Sequence, residues 1–183
     1  MINVVEALTE LVKNFTDEEP KPPLHVGEVM ALWTAFTAFE EAHSLYQIGL
    51  NTTNDPDLIT LLEDALKGSN QDSIKIQDLL VKEGVPLPLS NANKPESNPM
   101  SVPNGVRLTD DEIANLISVK VAASISFCAQ SMSQSIRSDV GLLFISIQIN
   151  LMEYAATLKN VLKRRGWLRI PPPYIPPGTP YND

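Results

Sequence analysis

The chain has 183 residues and a hydrophobic content of 43%, enough for one domain with a full-sized core plus tails. Aromatic content of 6% and only 8 glycines disfavour an all-β fold. The formal charge of −8 is uneven, with 16 acids against 6 bases over residues 1–100 and 6 against 8 over 101–183; an acidic chain excludes the phosphate neutralisation that drives nucleic-acid binding.

The 15 prolines fall at 20–23, 56, 86–103 and 171–180, so they punctuate the periodic runs rather than interrupt them. The first predicted element is a short amphipathic helix over Val4–Phe15, with Val4, Val5, Leu8, Leu11, Val12 and Phe15 on one face. Asn3 and Glu6 form its capping box, and the acidic, proline-rich linker Thr16–Pro23 follows. Helix and linker (1–23) precede a bundle over 24–166 and a Pro-rich tail over 167–183.

The first long helix is predicted over Val26–Leu50, with Val29, Trp33, Phe36, Glu40, His43, Gln47 and Leu50 at heptad spacing on one seam. The second opens at Asp55-Pro56-Asp57, an N-cap, a first-turn proline and an acid at the positive end of the dipole. Gly68-Ser69-Asn70 is a candidate kink, and Gly84 and Pro86 stop the helix. The third opens on the capping box Thr109-Asp110-Asp111-Glu112. A tight turn at Arg137-Ser138-Asp139 leads into the fourth, with Ser138 as N-cap, which ends at Gly166. Lys163, Arg164, Arg165 and Arg169 cluster there around Trp167; the expected role is to complement the dipole at that C-terminus, and binding of a nucleic acid or an acidic partner is the alternative.

Connection lengths decide the topology. The first two long helices share a turn of about four residues, as do the last two, so each pair is an antiparallel hairpin. The middle connection, Val85–Leu108, reaches about 80 Å when extended, against about 40 Å for a helix of this length. The expected fold is therefore all-α: a ferritin-like four-helix bundle with one long crossover.

Polar residues near the helix midpoints allow a polar layer halfway along the bundle. Glu40 and His43 make one Glu-x-x-His, with Glu153 near the midpoint of the fourth helix and Ser69, Asp72, Lys120 and Asn150 close to the same level. A di-metal bundle needs Glu-x-x-His twice plus two further Glu; here Glu153 is followed by Ala156 in place of His. The expectation is a hydrogen-bonded polar layer of Glu40, His43 and Glu153 with no metal. A single Fe, Mn or Zn ion on those three side chains is the alternative. No phosphate loop or nucleophile elbow appears, so no catalytic residue is assigned.

Cys128 is the single cysteine and cannot form an intrachain disulfide; Ile125, Phe127 and Ala129 mark it as a packed thiol. The start, Met1 to Glu6, lacks the basic region of a signal peptide, and no run of about 18 apolar residues appears. Cytoplasmic synthesis and no transmembrane segment are expected. The tail, Trp167 to Pro177, favours polyproline II, and Trp167 and Tyr174 are its candidate contacts, either back onto the bundle or with a partner.

Several short motifs recur in a known order. They are Glu28 with Leu32-Trp33, Glu83-Gly84-Val85-Pro86, Arg107-Leu108-Thr109-Asp110, Ser135-Ile136-Arg137-Ser138-Asp139-Val140, and Lys163-Arg164-Arg165-Gly166-Trp167-Leu168 with Pro171-Pro172. Over about 24–175 the chain resembles the uncharacterised domain family of endospore-forming bacteria related to coat F, a spore coat protein. The resemblance implies a ferritin-like bundle, no established catalysis, deposition in the spore coat, and other coat proteins or a second copy as partners. Two further readings are a metal-binding oxidoreductase of the same fold and an adaptor acting through the Pro-rich tail.

Overall fold

The computed structural model describes residues 3, 5, 6, 9, 10, 13 and 20–177. The helix expected over Val4–Phe15 and the last residues of the tail lie largely outside that range. Four long helices follow one another: α1 (Val26–Leu50), α2 (Pro56–Lys82), α3 (Asp110–Gln134) and α4 (Ser138–Arg165), with one 3-10 turn at Pro99–Ser101 in the crossover. No strand occurs among the described residues.

Each helix end has a local cause. His25 caps α1: its Nδ1 accepts from the backbone N–H groups of Gly27 and Glu28, and the Glu28 carboxylate reaches back to the His25 N–H. Thr109 makes the same capping box with Glu112 at α3, and Asp55 caps α2 by accepting from the N–H groups of Asp57 and Leu58. α2 and α4 both end in Schellman turns on glycines with positive φ, Gly84 (73°) and Gly166 (72°). Val85 N–H donates to Leu80 in the first turn and Trp167 N–H to Leu162 in the second. α2 runs unbroken for 27 residues through Gly68-Ser69-Asn70, the site of the expected kink. Arg137, rather than Ser138, takes the N-cap position of α4.

The crossover runs the length of α1. It leaves beside the start of α1, where Val85 and Leu87 pack with Leu24 on Leu32 and its neighbours. Asn91 then reaches Glu40 and Glu41, Asn93 and Lys94 bond Gln47, and Pro95 and Ser97 bond Asn51. α3 therefore starts at the same end of the bundle as α2 and runs parallel to it. α1 packs on α2 and α3, and α4 on α3 and α2, so every neighbouring pair is antiparallel. This is the ferritin-like arrangement with a single long crossover.

The core is divided. One cluster, near the α1–α2 turn, contains Tyr46, Leu58, Leu61, Leu62, Ile113, Ile117 and Leu158. The other, near the α3–α4 turn, contains Leu32, Phe36, Ile76, Leu80, Phe144 and Ile147. α3 and α4 are long and apolar enough to cross a membrane by length and composition alone. Both instead contribute buried side chains to the two clusters.

Candidate functional site

Between the two clusters lies a cavity of 340 Å³, lined from all four helices. It exists because small residues meet at this level: Ala35, Ala38 and Ala42 on α1, Ala65, Gly68 and Ser69 on α2, Ala123 and Ser124 on α3. Phe39, Tyr46, Phe127, Leu151 and Tyr154 supply larger apolar walls. Exposed lining residues lie at both seams between the hairpins, Thr34, Ala38 and Ala123 at the α1–α3 seam and Asp64 and Asn150 at the α2–α4 seam, so the space communicates with solvent.

A polar group crosses this waist. The Asp72 carboxylate is buried, at 2% exposure, and its Oδ1 accepts from Lys75 Nζ at 2.7 Å and Asn150 Nδ2 at 3.0 Å. A buried carboxylate needs such partners to offset its lost hydration. Tyr154 donates its hydroxyl to the Leu61 carbonyl. Burial pushes Tyr154 well above the ordinary phenol range, with the fields of Tyr46 and Asp64 adding. Burial alone pushes Tyr46 up to about 12. The Cys128 thiol rises to about 12, through burial first and the Asp72 charge second. Burial holds the Lys120 ammonium below its usual range, and Glu41 partly offsets this. Cys128 is thus an unreactive thiol at neutral pH.

No hydrogen bond or ion pair joins Glu40, His43 and Glu153 to one another among the described residues. Glu40 is half-buried on the flank of α1 that faces α2, and its carboxylate accepts from the Ser73 hydroxyl at 3.3 Å. His43, one turn on, is half-buried, and Glu153 is exposed on α4. No three His, Cys, Asp or Glu side chains come together as a metal site among the described residues. The heptad seam through Glu40, His43 and Gln47 borders the crossover and α2. The interior belongs to the neighbouring seam of Leu32, Ala35, Ala42 and Tyr46. Asp72 continues the inward series Leu58, Leu62, Ala65, Ser69, and that spacing was the available signal for it.

The sequence pattern of the family described as "protein of unknown function (DUF3231)" matches residues 14–179. The chain belongs to the DUF3231 family. The uncharacterized protein YvdQ of Bacillus subtilis is 32% identical to it over 151 residues, 82% of this chain and 88% of YvdQ. The crystal structure of a candidate spore coat protein from Bacillus halodurans is also 32% identical, with a TM-score of 0.83 over 84% of this chain and 97% of that one. A two-domain protein from Anabaena variabilis, with dj-1/thij/pfpi-like and ferritin-like domains, matches 96% of this chain and 52% of its own length. At 12% identity and a TM-score of 0.61 it supports the fold alone.

In this DUF3231 chain the recurring motifs assemble into two end clamps. At one end, Glu28, 2% exposed, accepts from the N–H groups of Ile136 and Arg137, both at 2.8 Å. The Arg137 guanidinium, itself buried, pairs with Glu83 at 2.9 Å and Asp139 at 2.7 Å and donates to the Pro22 carbonyl. Those hydrogen bonds raise Arg137 further above its ordinary range. Arg137, assisted by Lys21, holds Asp139 down to about 2. At the other end, Thr53 donates to Asp110 at 2.6 Å, and Arg165 binds Asp55 and Asp57 at 2.7 and 2.8 Å. Trp167 packs on the adjoining core, stacks 5.7 Å from the Arg165 guanidinium, and accepts from Asn115 through its carbonyl. Beyond it Ile170 and Tyr174 are exposed, at 68% and 83%.

Proposed function

We propose that this protein is a structural subunit of the bacterial spore coat, made in the cytoplasm of the sporulating cell and deposited on the forespore. The observation that carries the reading is the likeness to the candidate spore coat protein of Bacillus halodurans, 32% identical and aligned over 97% of that chain. The use of polar side chains supports it. Glu28, Glu83, Arg137, Asp139 and Arg165 are occupied in clamping the helix ends together, a role in rigidity rather than turnover.

Contact with other coat proteins falls to the tail. Trp167 anchors its root on the bundle, and the exposed Ile170, Tyr174 and Ile175 stand in a proline-rich frame that loses little entropy when bound. The test is extraction of the coat layer from purified mature spores. The full-length chain is expected in the coat extract, and a chain truncated after Leu168 is expected to be depleted there while still folded in the mother-cell lysate. Recovery of the full-length chain only from the soluble core of the spore would overturn the assignment.

A further inference from the structure

We propose that the waist cavity is a binding site for a small apolar carboxylate, with the hydrocarbon between the two core clusters and the carboxylate at the mouth beside Lys120. This goes beyond the structural role and does not depend on it. The cavity's 340 Å³ lies within the range of small-molecule sites, which are mostly apolar with a few placed polar groups.

Charge decides the ligand's polar end. Three ionisable groups with a formal charge line the space: Asp64, Asp72 and Lys120. Asp72 is already matched by Lys75 and Asn150. Asp64 stands exposed in water at the α2–α4 seam. Lys120, at the α1–α3 seam, is half-buried; the Glu41 charge bears on it, but no carboxylate lies within ion-pair distance among the described residues. A half-buried ammonium that makes no ion pair calls for an anionic acceptor. Partial desolvation strengthens that attraction relative to an exposed lysine.

The experiment is titration of the full chain by calorimetry with three eight-carbon probes: octanoate, octanol and octylamine. Octanoate is expected to bind saturably, octanol at least tenfold more weakly, and octylamine more weakly still. Lys120→Gln should weaken octanoate at least tenfold and leave octanol unchanged. Ser124→Leu, which fills the void, should abolish binding of both while raising the unfolding temperature. Octylamine binding as tightly as octanoate, an unaffected Lys120→Gln variant, or no octanoate binding at millimolar concentration would each overturn the proposal. Should Ser124→Leu not fold, Ala38→Leu at the exposed rim provides the same block.

Discussion

Glu28→Ala offers a direct test of the end clamp. The carboxylate is 2% exposed and accepts three backbone N–H groups: Ile136 and Arg137 at 2.8 Å on Oε1, and His25 at 3.1 Å on Oε2. Alanine leaves all three without an acceptor. An unsatisfied buried donor costs about 1–3 kcal/mol, and only the Arg137 N–H is fully buried, so a total of about 3–4 kcal/mol follows. For a chain of this size that corresponds to a fall in Tm of roughly 6–15 °C. Glu28→Gln keeps an oxygen for the α3–α4 turn and loses only the His25 bond, so it should cost roughly half as much. Urea unfolding followed by circular dichroism measures both, and the m-value should stay constant while the midpoint moves. A loss below about 1 kcal/mol for the alanine variant would show that the turn does not depend on this carboxylate.

Three other outcomes are expected. Asp139 is held down to about 2 by Arg137 and Lys21, so its contribution is fully present above its unfolded value near 4 and is lost as pH falls from about 4 to 2. After allowance for solvent screening this is about 1–2 kcal/mol, and an Asp139→Asn variant should flatten the acid limb of a stability–pH curve. Two Gly→Ala changes in helices should have opposite signs. A Cβ on Gly49 would sit 2.9 Å from Leu62 Cδ2 and 3.3 Å from Ile113 Cγ2, both on fully packed residues, for a cost of about 1–3 kcal/mol. A Cβ on Gly68 meets nothing within 4 Å, so the helix should gain roughly 0.5–1 kcal/mol in thermal or urea unfolding. Cys128, raised to about 12, should hold a thiolate fraction on the order of 10⁻⁴ at pH 8. Its alkylation by iodoacetamide should therefore be slow in the native protein and fast in urea.

The architecture was legible in the sequence because its signals are local. Caps at Asp55 and Thr109, stops at Gly84 and Gly166, and the lengths of the connections fix four helices and one crossover without knowledge of contacts. Even the polar level at the bundle midpoint could be read, with Ser69, Asp72, Lys120 and Asn150 placed there. Which polar groups meet could not. A heptad seam through Glu40 and His43 and a second beside it through Leu32, Ala35, Phe39, Ala42 and Tyr46 are both compatible with the sequence of α1. The crossover runs over the first, where Asn91 bonds Glu40 and where Asn93 and Lys94 bond Gln47. The same limit applies at the ends. Glu28, Glu83 and Arg137 stood in separate motifs, and their meeting is a contact between residues over fifty positions apart. The cavity depends on small residues from three helices falling at one height, which no single helix pattern reveals.

The most direct measurement of the coat assignment is time-lapse fluorescence of the full chain, fused to a fluorescent protein at its N-terminus, in its native sporulating cell. The account predicts signal gathering into a shell around the forespore and remaining with the released spore through washing. Signal that stays diffuse in the mother cell and is lost at lysis would contradict it.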